Sequence, residues 1–493
     1  MASNASGDHD LQDLKAKAEI AEFVEDALPQ EHQEYKKREA RLVAKLDIYL
    51  APILMLLTLI SFLDRGNIGY AASQGMIVDI GLKGNQLNIA ISIFYVFYIL
   101  AEVPSSLLAK RLQFNRVIPA VTVCWGAVCL GNGFITGFPS LVACRLLLGL
   151  FEGFLFPSSV LLMANWYKRE ELGQRISYLY IAAALSSAFG GLIAFAILYM
   201  DGTAGKQGWQ WLYIIEGIIT IVIGVMCFWL IPKDYQTAYF LNAEDRIIMK
   251  RRAELTESYN GGQGHYTRKD FMLAVADVKT WLHGGIQLAV MTVVYGFGVF
   301  LPIIIKTGFQ YSTKQAQYLA IPVFLWGAIV YAIGGFLSDK YQKRFLLVVA
   351  AAPFGMVGYS ILLAYDRVSV GVQYFATFLI STCIFLCGGG NMAWLSCNSA
   401  PDGKRAASVG ITLTLTNIGG IVSGQIYVVK QAPQYRLGHA WCLGCLLLAW
   451  IGWCVLRYIY NVREHEKDKA IGEGVATPPG DFSDRATTYR YQL

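Results

Sequence analysis

Arg145 and Glu152 stand seven residues apart in the run RLLLGLFE, inside an apolar stretch from Phe138 to Trp166. On an α-helix that spacing is about two turns, so both side chains point to nearly one face, roughly 10 Å apart along the axis. A charge inside a membrane helix costs on the order of 2.5–3.5 kcal/mol on insertion scales, and such residues mark substrate or proton pathways by default. The plain alternative is an ion pair that only staples neighbouring helices. A second charged pair, Asp64-Arg65, lies near the end of the first apolar run. If the first apolar run leads outward and the fourth inward, Asp64, Arg65 and Arg145 share the outer half of one cavity, with Glu152 deeper. Guanidinium groups grip carboxylates through paired hydrogen bonds, so two arginines with a local positive surplus suit an organic anion. Glu152 is flanked by Gly149, Leu150, Phe151, Gly153, Phe154 and Phe156. A carboxyl in such apolar surroundings is suited to take up and release a proton.

These groups must be held by membrane helices. The 493 residues are 55% hydrophobic and 15% charged, with mean hydropathy +0.43, whereas a soluble domain carries about 25% charged residues. The net charge of +6 is spread over loops and gives no reason to expect a nucleic-acid partner. The ten cysteines fall in apolar segments, which argues against an extracellular disulfide framework. Cys442 and Cys445 form a CxxC inside the last apolar run, where packing explains them. The six histidines lie in tails or near helix ends, and no metal-ligand cluster is expected. Gly388–Gly390 lacks the Lys-Ser/Thr of a phosphate loop, so no nucleotide or other cofactor is implied. No secretory signal is visible at the charged N-terminus.

Twelve runs reach spanning length, about 20 residues each: 46–66, 85–108, 117–135, 140–166, 176–198, 209–231, 281–304, 316–337, 346–365, 370–391, 409–429 and 440–459. The expected fold is an all-α membrane protein of twelve transmembrane helices in two six-helix halves. The expected division is an N-terminal tail (1–45), a first half (46–231), a central loop (232–280), a second half (281–460) and a C-terminal tail (461–493). Gln30–Arg41 reads as a short amphipathic helix, and the central loop as a tether with a surface helix capped by Asn242. Lys110, Arg111, Arg116, Lys168, Arg169, Arg175, Lys340, Lys343, Arg344, Lys404 and Arg405 concentrate in loops on one side. By the positive-inside rule that side, and both termini, are cytoplasmic.

The 6+6 layout resembles the major facilitator superfamily. Gly335-Phe-Leu-Ser-Asp339-Lys-Tyr-Gln-Lys-Arg344 is similar to that family's loop motif. Gly335 would permit close helix approach, while Asp339 and Arg344 would form a conformational gate. The matching first-half loop, Ser106-Leu-Leu-Ala-Lys110-Arg111, lacks the glycine and aspartate. Phe62–Gly69, Glu102–Ser106, Arg145–Glu152, Trp166–Arg169 and Gly208–Gly217 together resemble the anion:cation symporter family. Asn417–Tyr427 looks like its fungal branch of allantoate, nicotinate and pantothenate permeases. The resemblance covers about residues 45–460. It implies that Arg65 contacts a substrate carboxylate and that Asp64 and Glu152 couple protons. It also implies that Asn417 joins Arg145 in the substrate site.

Tyr295 and Asn391 are further candidates for lining the substrate site from the second half, as is Trp394. Glu102, just before Pro104, reads equally as a gate or a helix-end group. Glu216 reads as structural. The leading function is secondary active transport of a small organic anion, with proton symport by alternating access. Export of a metabolite keeps the same fold, and a transporter-like nutrient sensor would need a longer signalling tail. The expected partners are the substrate anion, protons and the lipid bilayer, with the chain acting as a monomer in the plasma membrane. No enzyme constellation is present.

Overall fold

A chain with no water to bond its peptide groups must satisfy them within each span, and helices do this locally. The computed structural model describes residues 30–260, 268–341, 344–428, 431–473, 483–487 and 489–492, and among these the regular structure is helical throughout. The spanning helices are α1 (Ala51–Ser73), α2 (Gln86–Leu112), α3 (Phe114–Asn132), α4 (Phe138–Glu152, continued by Leu155–Trp166), α5 (Arg169–Ile197) and α6 (Gly208–Leu230). They are followed by α7 (Val278–Ile303), α8 (Thr313–Tyr341), α9 (Arg344–Leu363), α10 (Val370–Cys397), α11 (Asp402–Ser423) and α12 (Arg436–Gly472). Among the described residues eleven helices are long and apolar enough to cross a membrane, and the shorter apolar helix Gln86–Glu102 adds a twelfth. An even number of crossings returns the chain to the side on which it started, here called the termini side. The opposite side is the distal face.

The first six helices pack on one another, with α3 against α6 and α4 against α2. The last six do likewise, with α9 against α10 and α7 against α11. The two sets meet along α1/α7, α2/α11 and α5/α8. Small residues set the closest approaches. A Cβ on Gly149 of α4 would lie 2.2 Å from the Phe94 carbonyl oxygen of α2, and one on Gly69 of α1 would lie 2.0 Å from the Val299 carbonyl oxygen of α7. Gly419 and Gly420 were expected to allow close contact. Their missing side chains accommodate the α7 backbone and the Tyr95 ring respectively.

Polar clasps join the two sets at the distal face. Asn88 Nδ2 donates to the carbonyls of Gly424 (2.6 Å) and Tyr427 (2.8 Å). Ser92 Oγ donates to Ile421 O at 2.8 Å. Gln317 Nε2 donates to Ser73 Oγ at 2.7 Å.

On the termini side three expectations need correction. The amphipathic N-terminal helix extends to Gln30–Tyr49. The central segment is docked rather than a bare tether: its helix Ala243–Asn260 sends Arg252 to Glu39 (3.0 Å) and Glu171 (2.5 Å), and Lys45 reaches Asp245 at 2.7 Å. Asn242 offers its backbone N–H to Asp245 instead of capping with its side chain. The third difference is at the C-terminus. The last helix runs on to Gly472, and residues 483–487 and 489–492 fold back on the second set. Asp484 is buried against Lys279 and Lys404, Tyr489 donates to the Cys397 carbonyl (2.6 Å), and Lys467 donates to the carbonyls of Asp484 (2.9 Å) and Tyr489 (2.8 Å). A polar composition hid this docking, because the tail binds through ions and main-chain atoms rather than an apolar face.

Gly69 and Gly149 should respond differently to substitution. Gly149→Val overpacks α2/α4 within one set and costs about 1–3 kcal/mol in every state, so the unfolding midpoint falls. Gly69→Val strikes a contact between the sets, which separation relieves. Its unfolding midpoint should change less, while a cysteine placed at Ser73 becomes more reactive to a membrane-impermeant thiol reagent.

Candidate functional site

Adjacent residues on a helix diverge by about 100° around the axis. Asp64 and Arg65 therefore leave α1 toward different neighbours, and two separate charged clusters result.

The first cluster is the Arg65–Glu152 pair. Arg65 Nε donates to Glu152 Oε2 at 2.8 Å, and Ser61 Oγ donates to the same oxygen at 3.0 Å. Arg65 Nη2 also donates to Ser61 Oγ at 3.3 Å. Aromatic rings enclose the guanidinium: its central carbon lies 4.5 Å from the Phe62 centroid, 4.5 Å from Tyr98 and 5.6 Å from Phe94. Desolvated cation–π contacts of this kind contribute on the order of 2 kcal/mol. The Glu152 side chain is 0% exposed and that of Arg65 is 9% exposed. Glu152 Oε1 is buried with no hydrogen-bond partner among the described residues. The sequence drew attention to both residues, but not to their direct contact.

Around this pair, α2 and α7 bring Tyr95 and Tyr295 to a centroid distance of 5.1 Å. Asn417 of α11 donates its amide to Glu102 of α2 at 3.0 Å. Glu102 and Asn417, expected in different roles, thus form one bond across the two sets. Both belong to helices that must part if the sets rock.

The second cluster lies inside the first set and takes Asp64 and Arg145. Asp64 Oδ2 accepts from Trp125 Nε1 at 2.8 Å, while Oδ1 accepts from Cys129 Sγ at 3.3 Å and Asn67 Nδ2 at 3.3 Å. The same Asn67 amide donates to Glu216. Arg145 Nη2 donates to the Tyr213 hydroxyl at 2.9 Å. Arg145 is therefore not brought to Arg65, contrary to the shared cavity read from the sequence. The two-turn rise from Arg145 to Glu152 gives them different partners, Tyr213 of α6 and Ser61 of α1. Asn67, Trp125, Cys129, Tyr213 and Glu216 were missed as members of one cluster. The signal was a polar i, i+3 pair, Asp64 and Asn67, in an otherwise apolar run.

A third cluster corrects the placement of Asn391. Its Nδ2 donates to His283 O (3.1 Å) and Gln287 Oε1 (2.7 Å). Its Oδ1 accepts from Trp453 Nε1 (3.0 Å) and lies 2.9 Å from His283 Nδ1. This assigns the proton of His283 to Nδ1, leaving Nε2 to accept from the Tyr460 hydroxyl at 3.1 Å. Asn391 has filled its donors and acceptors inside the second set and offers none to a substrate. Trp394 is likewise engaged, donating to the Gln492 carbonyl at 2.8 Å. Of the gate motif, Gly335 and Arg344 are half-buried at facing ends of α8 and α9. The Asp339 side chain lies outside the described residues. Among the described residues no group of three or more His, Cys, Asp or Glu could hold a metal ion.

Comparison with known proteins agrees with this architecture. The Major Facilitator Superfamily profile matches residues 54–424. An uncharacterised transporter of Schizosaccharomyces pombe is 39% identical, covering 93% of this chain and 91% of its own length. The high-affinity nicotinic acid transporter of Saccharomyces cerevisiae is 32% identical, over 88% of this chain and 80% of that one. Among solved structures, an inward-facing bacterial homologue of the human lysosomal transporter Spinster superposes with TM-score 0.64 at 15% identity, covering 82% of this chain and 95% of that chain. A D-xylose–proton symporter gives 0.63 at 14%, covering 82% and 97%. Two helical sets that meet along α1/α7, α2/α11 and α5/α8, with charged groups buried between spans, belong to a transporter and not an enzyme: this chain is a multi-pass membrane protein of the major facilitator superfamily.

Proposed function

We propose that the protein carries a small organic carboxylate together with protons, with Arg65 as the anion-binding group and Glu152 as the proton carrier. The observation that carries this reading is the buried Arg65–Glu152 bond. A guanidinium can serve one carboxylate well, so Glu152 and a substrate carboxylate compete for Arg65. Protonating Glu152 removes its charge and frees Arg65 for the substrate. Deprotonation restores the internal pair and expels the substrate. Anion and proton therefore load together, which is symport by electrostatic exclusion. Glu152 Oε1, buried without a partner, is the oxygen suited to receive the proton.

The rings around Arg65 fit a carboxylate carried on a compact, partly apolar body, and Tyr295 faces the same space beside Tyr95. The similarity to the nicotinic acid transporter supports a pyridine carboxylate as the first probe. Asn417–Glu102 acts as a clasp between the sets, as does the Gly335–Arg344 motif with Asp339. Arg145 and Asn391 support the site from within their own sets and do not hold substrate. The concentration of Lys and Arg on the termini side supports cytoplasmic termini.

The test is uptake of labelled nicotinate into proteoliposomes with a proton-sensitive dye inside. Acidifying the outer bath protonates Glu152 on the loading side, so uptake by the unmodified protein should rise as external pH falls. Glu152→Gln should retain nicotinate exchange but carry fewer protons per substrate. A folded variant whose proton count per substrate equals that of the unmodified protein removes Glu152 from the role.

Arg65→Lys supplies a point charge without the fork that holds a carboxylate. Loss of one charged hydrogen bond is worth about 1.5–3 kcal/mol, so half-saturation for nicotinate should rise about tenfold or more. Asn417→Ala, which breaks only the clasp, should change the maximal rate more than half-saturation.

A further inference from the structure

The second charged cluster holds an arrangement that a single fixed set of charges does not satisfy. Asp64 and Glu216 are both buried, and both take the same Asn67 amide group. Two carboxylates brought around one donor cannot both stay ionised at low cost, because like charges at close range in a poorly solvated site repel strongly. Arg145, whose guanidinium acts on Asp64, spends Nη2 on Tyr213, and its Nε is buried with no partner among the described residues. Two acceptors also lack a donor, Glu216 Oε1 and Asn67 Oδ1, in side chains 4% and 0% exposed. One added proton resolves this: on Glu216 it lowers the charge and supplies the missing donor.

The groups that face this site come from every element around it. They are Asp64 and Tyr70 of α1, Cys129 of α3, Arg145 of α4, and Tyr213 and Glu216 of α6. Tyr70 is tied to the Ser187 carbonyl of α5 at 3.1 Å. The α3 and α6 backbones are locked by Gly217, where a Cβ would sit 2.4 Å from Leu130 N. The movable partner is therefore α1, which also carries Arg65.

We propose that Glu216, bridged to Asp64 by Asn67, is a second proton carrier of the transport cycle, distinct from Glu152. The pair holds one proton in the state described here. When α1 shifts, the O–H bond at Glu216 breaks and the proton passes to water on the side that has opened. Arg145 then leaves Tyr213 to balance the two carboxylates. Because Asp64 and Arg65 are neighbours, this change turns Arg65 relative to Glu152 and links the two sites. The inference rests on the proton-coupled reading above.

Infrared difference spectroscopy of the purified protein in lipid, titrated from acid to alkaline pH, tests it without any substrate. The unmodified protein should lose a protonated-carboxyl carbonyl band on alkalinisation, and Glu216→Gln should lack that band while keeping the one assigned by Glu152→Gln. In nicotinate-loaded proteoliposomes, Glu216→Gln should carry one proton fewer per substrate and show a flatter pH profile. If Glu216→Gln fails to fold, Asn67→Ala keeps both carboxyls and should shift the midpoint of the same band. A titration and a proton count unchanged in these variants would make Glu216 a permanently neutral structural acid and overturn the proposal. Should the protein import nicotinate with no proton entry at all, the coupled reading itself fails. A Glu216 band that still titrates would then be a bystander.

Discussion

The bond between Arg65 and Glu152 is the interaction around which the fold is arranged. A buried ion pair repays its desolvation only when its geometry is good and its remaining valences are met, and removing one partner costs about 3–5 kcal/mol. Here three aromatic rings and Ser61 do part of that work, and they come from α1 and α2. The requirement fixes how α1, α2 and α4 must sit. Gly149 brings α4 onto α2, and α4 is interrupted after Glu152 before it resumes at Leu155. The pair is stable enough to form and deprived enough of water to respond to a single proton.

The spans were legible because membrane helices write themselves as long apolar runs. The charged residues were legible because each interrupts such a run. Their partners were not. Glu152 took Arg65 rather than sharing a cavity with Arg145, and that choice depends on how each helix is rotated against its neighbours. Spacing along one helix fixes which of its own residues share a face, but not which helix that face meets. Asn391 shows the same limit. An amide in an apolar span looks like a ligand-binding group until His283, Gln287 and Trp453 are seen to occupy it. The C-terminal residues failed for a different reason: Asp484, Tyr489 and Tyr491 sit in a polar segment that reads as solvated, yet they bury against cations and carbonyls.

Two buried polar networks, one in each set, differ in how their donors and acceptors are matched. The second set closes its network completely around His283 and Asn391, with neutral groups whose donors and acceptors match. The first set leaves Glu152 Oε1, Glu216 Oε1, Asn67 Oδ1 and Arg145 Nε unmatched. A matched network favours one arrangement and resists change. An unmatched one stores the means of responding to protonation. The second set also buries ions, but Asp277, Lys279, Lys404 and Asp484 pair with one another and staple it to its own tail on the termini side.

The distal clasp has a further consequence for how the chain can vary. Asn88 and Ser92 donate to main-chain oxygens of Gly424, Tyr427 and Ile421. A carbonyl oxygen is present whatever side chain its residue bears, so substitution on the accepting side cannot delete the acceptor. The exception is Gln425, whose side-chain amide donates to Ser92 Oγ at 2.9 Å. Ile421 and Tyr427 can change without deleting these acceptors, as long as Gly424 stays small enough to let Ser92 in.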